Sequence, residues 1–519
     1  MAETSLAETS LALPPFVLWP IMIESRQSSV TDKASHTINA PRADQMPLQD
    51  PKALAPGTRA LALIVATAFF MENLDLTVIA TALPQMAEAF ATTPVALSLG
   101  LTSYILALAI VLPASGWIAD RWGARRVFML AILGFTLASI LCSLSTSLPQ
   151  FVCARSLQGL SGAMMSPVGR LVFLRLTDKK DLVRGMNFIT APGLIGTLIG
   201  PPLGGLIASY GDWRWIFWLN VPIGLIGLLL VRRFIPDLKP EGARAFDGLG
   251  FCLNGLGLGC LLFGVDLLGH AQGLRLVGAA LALLGLALGW LAMRHYRRVD
   301  KPLVDLSALS IPTFAAATFQ GGSLFRMSIA VPIFVLPLFL QIGLGLSAFE
   351  TGVLILAHTF GDVGIKAITT WMMKRFGFRT ILIFSGFGFG LFIAAFVGVD
   401  QKTPLGLIVF LLLASGAVRS LQLTALAALQ FADVPKEQMT GAATYSSVNQ
   451  HVTRALGIAL SALLLNLSAA WRDLAHPVVE LVDFTPAFLA GALLAACAGV
   501  RYLALPGTAG QHVSQGRES

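Results

Sequence analysis

Gly116-Trp-Ile-Ala-Asp120-Arg121-Trp-Gly123-Ala-Arg125-Arg126 puts one carboxylate and three arginines between two strongly apolar segments. Charge of that density is stable only in water, so this stretch reads as a turn at a membrane surface. The composition around it agrees. Of 519 residues 55% are hydrophobic and 12% charged, with a mean hydropathy of +0.75, whereas a soluble chain carries about 25% charged residues. A helix needs about 20 apolar residues to cross a hydrocarbon core of ~30 Å. Such stretches occur near 60–83, 96–117, 127–146, 149–173, 185–209, 213–232, 246–268, 274–293, 311–342, 350–373, 379–399, 404–430, 440–467 and 484–505. The expectation is an all-α membrane protein with fourteen spans, the ninth tilted or kinked around Pro332 and Pro337.

The basic residues order these spans. With the N-terminus inside, 26 of the 36 Lys and Arg fall in inner loops and tails, four in outer loops (Arg214, Arg275, Lys402, Arg472) and six inside helices. That bias predicts cytoplasmic N- and C-termini and makes the net charge of +8 a topology signal, so no nucleic acid is invoked as partner. The partners implied are the lipid bilayer, protons and a small-molecule substrate. No lysine follows a glycine, which excludes a P-loop, and the seven histidines and five cysteines lack metal-ligand spacing. No enzyme constellation, metal or cofactor is expected, and the proton gradient would supply the energy. Residues 1–58 open with a duplicated AETSL and a proline-interrupted apolar run, read as a disordered cytoplasmic tail or an early start, with Met46 as an alternative start.

Lys374-Arg-Phe-Gly377-Phe-Arg379 echoes Asp120-Arg-Trp-Gly123-Ala-Arg125 at a spacing of 254 residues. A duplicated six-helix unit with two inserted helices would leave such an echo. The expected organisation is a bundle at 59–233, a linker with two inserted helices at 234–300, a second bundle at 301–505 and a cytoplasmic tail at 506–519. Substrate would sit between the bundles near mid-membrane. Lys374 replaces the Asp120 carboxylate, so the second copy is expected to lack a gating role.

The 116–126 stretch resembles the signature loop of the major facilitator superfamily at Gly116, Asp120, Arg121, Gly123, Arg125 and Arg126. Arg155, Gln158, Gly159 and Gly162 match that family's RxxxQGxG pattern in the fourth helix. Gly196, Gly200, Pro201, Gly204 and Gly205 match its G-x-x-x-G-P-x-x-G-G antiporter motif, for which close helix packing is the plainer reading. Trp213-Arg-Trp-Ile-Phe-Trp-Leu-Asn-Val-Pro-Ile-Gly224 also looks like an aromatic belt, and is similar to the hallmark of the 14-helix drug:proton antiporters (EmrB/QacA-like). Within them, 112–120, 156–171 and 339–347 look closest to the MdtD-type branch. The resemblance, which covers 60–505, implies a proton-coupled antiporter of the bacterial inner membrane exporting drugs or organic anions by alternating access. It also implies a monomer, with a periplasmic adaptor and outer-membrane channel as further partners. An organic-anion or metal-citrate-type carrier rather than a broad drug exporter, a membrane receptor that has lost transport, or a proton symporter, is the alternative reading.

Charges inside the bilayer are costly and mark function. Glu72 and Asp75 lie one turn apart and, with Arg155, are the proton-coupling candidates; a static ion pair is the plainer role. Asp120 is expected to pair with an arginine of its own loop and with a helix N-terminus of the other half, latching the inner side. The candidate substrate residues are Arg326, His358, Asp362, Lys366, Arg419, Gln422, Asn449, Gln450, His451 and Arg454. Four cations against Asp362 would favour an anionic substrate, unless interhelical pairing and snorkelling account for them. His358 and His451 are read as helix-contact residues, with a proton relay as the alternative.

Overall fold

The computed structural model describes residues 56–177, 181–237, 245–269, 272–300, 302–472, 478–507 and 509. The sequence expectations for residues 1–55, and for most of the C-terminal tail, lie outside the described residues.

Apolar runs of bilayer length form helices because every backbone polar group in lipid must be satisfied within the chain. The helices are α1 (Pro56–Val78), α2 (Ser98–Val111, continued by Ser115–Trp122), α3 (Ala124–Leu144), α4 (Leu148–Leu176) and α5 (Leu182–Tyr210). Then come α6 (Trp215–Trp218 and Asn220–Phe234), α7 (Gly248–Leu268), α8 (Gln272–Tyr296) and α9 (Pro312–Thr318 and Gly321–Leu338). The stretch Ala348–Ala395 is parted at Gly377 into α10 (348–376) and α11 (378–395). α12 (Leu405–Gln430), α13 (Met439–Arg472) and α14 (Phe484–Tyr502) complete the chain. Among the described residues, twelve segments are long and apolar enough to cross a membrane. One of them, Ala348–Gly398, contains both α10 and α11, and α4, which carries Arg155, Arg170 and Arg175, stands outside that count. The described residues therefore hold fourteen membrane-length helices.

Two of the expectations shift. The 116–122 residues are helical rather than looped, and the turn is confined to Gly123, with φ 88°. Gly377 has φ 76° at the equivalent point. A Cβ is strained at such a φ, which explains glycine at both. The echo extends to side chains: Arg125 Nη2 donates to the Arg232 carbonyl at the end of α6, and Arg379 Nη2 to the Leu503 carbonyl at the end of α14, both at 2.8 Å. In α9 the break falls at Phe319–Gln320, before both prolines.

α1–α6 pack among themselves, as do α9–α14, and α5 meets α10 while α2 meets α13. The α7–α8 hairpin leans on α2 and α13. The Trp213 string is half belt and half core: Trp215 is exposed, while Trp213 and Phe217 are buried in a ring cluster with Phe90 and Phe151.

Candidate functional site

Between the two sets of helices lies a cavity of about 1520 Å³. Its wall reaches from Glu72, Asn73, Ser166, Gln450 and Arg454 to Trp117, Asp120, Asp247, Asp300 and Thr440, so it opens at the end that carries Gly123. The opposite end is shut by backbone. A Cβ on Gly205 would collide with the Ala348 carbonyl, and one on Gly352 with that of Pro201. The Phe349 amide donates to Ser209 Oγ at 2.9 Å, and Gln341 Nε2 to the Thr81 carbonyl at 3.1 Å. Gly196, Gly200 and Gly204 press α5 onto Phe70, Thr77 and Val78 of α1. The expected antiporter motif thus builds the closed end of the cavity.

Asp75 and Arg155 do not face this cavity, contrary to the expectation of a shared coupling site with Glu72. They form a sealed pair behind it, both fully buried, with Arg155 Nη1 2.6 Å from Asp75 Oδ2. Gln158 Nε2 and Asn220 Nδ2 donate to Asp75 Oδ1 at 2.9 and 3.2 Å, and both also reach Ser139 Oγ. The Arg155 guanidinium lies 4.3 Å from the centre of the Tyr104 ring. α4 and α6 thus supply the hydrogen bonds to this α1 carboxylate, and Ser139 of α3 braces two of the donors. Glu72, about 60° round α1, lines the cavity and accepts from Ser166 Oγ.

Asp120 also departs from its expected contacts. It pairs with Arg175 at the end of α4, 2.8 Å away and in the same half. The cavity is open at this end, and Asp120 lines it. Arg126 sits 3.7 Å from Asp237, both exposed.

Most of the expected substrate residues do not line this cavity. Arg326 donates to the Ala317 carbonyl at 3.0 Å and to Gln430 Oε1 at 3.2 Å, pinning the break in α9. Asn449 Nδ2 serves the same break through the Thr318 carbonyl at 2.7 Å. Arg419 and Asp362 pair at 2.9 Å. His358 Nδ1 is 3.2 Å from the Leu412 carbonyl, the helix contact that was the plainer expectation. Gln422 is buried against Ser385 of α11, and Lys366 is exposed away from the cavity. Gln450, His451 and Arg454 do line it. The four expected cations therefore do not converge.

Sequence reasoning missed Asn73, Ser166 and Arg170, which line the cavity, and the pairing of Gln158 and Asn220 with Asp75 and with Ser139 behind it. Ser166 and Arg170 carried a signal: they are four residues apart, hence on one face of α4, inside the quoted 156–171 string.

A family model described as Major Facilitator Superfamily matches residues 65–324. The chain belongs to the major facilitator superfamily. A putative multidrug resistance protein MdtD of Escherichia fergusonii is 33% identical over 468 residues, covering 89% of this chain and 98% of the relative. One of the same description from Cronobacter sakazakii is 37% identical over 404 residues, covering 78% and 85%. These relatives place the transporter in the MdtD-like branch. Among solved structures, a D-xylose–proton symporter aligns over 87% of this chain and 98% of its own, with a TM-score of 0.61 and 14% identity. The nucleoside transporter NupG gives 0.53, also at 14%. At that identity the likeness concerns the fold alone. The transporter is a multi-pass membrane protein and not an enzyme.

Proposed function

We propose that the transporter is a proton-driven antiporter of the bacterial inner membrane, exporting small organic molecules by alternating access, with both termini in the cytoplasm. One observation carries the reading: α1 bears two carboxylates in opposite settings, Asp75 sealed with Arg155 and Glu72 facing the cavity. Protonating Asp75 removes the charge that compensates the buried Arg155, so the protonated state favours a different packing of α1 against α4. The outer end of α1 is held by Gly200 and Gly204 of α5, and the turn that follows it by Gln341 of the other half through the Thr81 carbonyl. A shift of α1 is thereby felt at the closed end. Proton and substrate then act on separate groups of one helix, which is what coupling between two sites requires.

The drug-export part of the reading rests on the description carried by the relatives. Everted membrane vesicles with a pH-sensitive dye test it. Addition of a transported compound should release protons from energised wild-type vesicles and release none from Asp75→Asn vesicles holding equal amounts of protein. A wild-type response in Asp75→Asn would refute the assignment of coupling to Asp75.

A further inference from the structure

We propose that Arg170 and Arg454 form a seat for an anionic group, a carboxylate or phosphate, of the transported molecule, with Glu72 as the internal anion that occupies the seat between cycles. The proposal rests on the reading of the cavity as the substrate site.

Five arginines fall within the spans α4, α9, α12 and α13, before the last turn of each. Arg155 is spent on Asp75, Arg419 on Asp362, and Arg326 on the carbonyls of the α9 break. Arg170 and Arg454 make no hydrogen bond or ion pair among the described residues, and both line the cavity. The Arg170 guanidinium rests 4.7 Å from the centre of the Phe69 ring. One carboxylate accompanies them at this depth: Glu72, on which both charges act. Of the other carboxylates on the wall, Asp120 is taken by Arg175 and Asp247 by His295, while Asp300 and Asp305 flank the segment that follows α8. Two cations against one anion leave a positive charge on this wall without a protein counter-charge. An arriving anion completes the site.

The arginines come from opposite halves, α4 and α13. A carboxylate or phosphate gripped by two guanidinium forks would tie the halves together when loaded and release them when empty. Phe69, Leu76, Leu108 and Leu112 give the adjoining wall an apolar face, so the molecule that fits is an anionic group on an apolar body.

The sign of one substitution separates this seat from a cation site. In a cation site Glu72 is the ligand, and Glu72→Gln weakens binding. In an anion seat Glu72 is the competitor, and Glu72→Gln tightens it. The test titrates purified full-length protein in detergent with 1-naphthoate and with 1-naphthylmethylammonium, which share a ring system and differ in charge. Naphthoate should bind, Glu72→Gln should strengthen it several-fold, and Arg170→Gln and Arg454→Gln should each weaken it by roughly tenfold. The arginine variants should keep unfolding transitions close to wild type, since neither residue has a hydrogen bond or ion pair to lose, and Arg454→Lys should restore part of the binding. Absence of naphthoate binding, or binding unmoved in both arginine variants, would overturn the seat, as would ammonium binding lost in Glu72→Gln. Weaker naphthoate binding in phosphatidylglycerol nanodiscs than in phosphatidylcholine nanodiscs would make a lipid headgroup the occupant and overturn the assignment to a soluble substrate. The vesicle proton response is independent of all these outcomes, so the seat can fail while the antiport reading stands.

Discussion

The Asp75–Arg155 pair should behave as one energetic unit. Both side chains are fully buried, and Nη1 lies 2.6 Å from Oδ2. With charge centres about 4 Å apart, the gross attraction is about 4 kcal/mol at an effective dielectric constant of 20. Removing one member of such a pair leaves an uncompensated buried charge and costs about 3–5 kcal/mol. Asp75→Asn keeps an oxygen for Gln158 and Asn220, so the expected loss is at the lower end, about 3 kcal/mol. Arg155 then retains Gln158 Oε1, while its Nε and Nη2 lack hydrogen-bond partners already. Arg155→Met should lose a similar amount, because Asp75 keeps its charge and two amide donors. The double variant has no charge left to strand and should lose only about 2 kcal/mol, a coupling of about 4 kcal/mol. Equilibrium unfolding of the four proteins in mixed micelles, followed by tryptophan fluorescence, measures the cycle. Additive losses, or two single variants as stable as wild type, would refute the reasoning.

Other consequences follow from particular contacts. Gly205→Val places a side chain against the Ala348 carbonyl, so it should open the closed end; Gln341→Cys on that background should react faster with an impermeant thiol reagent added outside, and unchanged labelling would contradict the account. Asp247 caps α7 by accepting from the Gly250 and Leu303 amides and meets His295 Nε2 at 2.7 Å. Burial pushes its carboxyl up, but the His295 and backbone hydrogen bonds outweigh that and hold it below the ordinary carboxylate range. A depressed carboxyl stabilises above its unfolded value and loses that contribution as pH falls through the folded one. Protection of the Gly250 and Leu303 amides should therefore persist at pH 5 and fade only below about pH 4, while Asp247→Ala should lose it at every pH, read by hydrogen exchange. Gly123→Ala and Gly377→Ala should each cost about 1–3 kcal/mol of stability because both need a positive φ, measured as shifts of the unfolding transition, and equal tolerance of alanine at both would count against a strained turn.

The membrane class was legible because hydropathy belongs to whole segments and the bilayer dictates their length. The repeat was legible in six residues, and its echo reaches the Arg125 and Arg379 contacts with helix-end carbonyls. The partners of buried charges were not legible. Arg326 is satisfied by carbonyls freed at Phe319–Gln320, a break that no proline announces, while α9 runs through Pro332. His358, Asp362 and Lys366 recur every four residues, yet each step overshoots a full turn by about 40°. Over eight residues that drift turns Lys366 out to an exposed position. Ser166 and Arg170, four residues apart, share a face of α4, but spacing alone does not say whether that face meets lipid, a neighbouring helix or the cavity.

Glu72 and Asp75 can be told apart by stability as well as by transport. Three residues on α1 separate them by about 4.5 Å along the axis and about 60° around it. That rotation takes one carboxylate from a sealed network to an aqueous wall. Removing charge from Asp75 strands Arg155, with nothing nearby to compensate it. Removing charge from Glu72 strands no sealed partner, because the wall it shares with Arg170 and Arg454 is open to water. Glu72→Gln should therefore unfold within about 1 kcal/mol of wild type, while Asp75→Asn loses about 3 kcal/mol in the same micelles. In vesicles the order of damage should depend on the compound: Asp75→Asn should stop proton release with every substrate, and Glu72→Gln should change apparent affinity and leave proton release intact at saturation. Equal destabilisation by the two substitutions, or loss of proton release in Glu72→Gln at saturating substrate, would mean that the two carboxylates work as one site and that the sealed pair has no separate role.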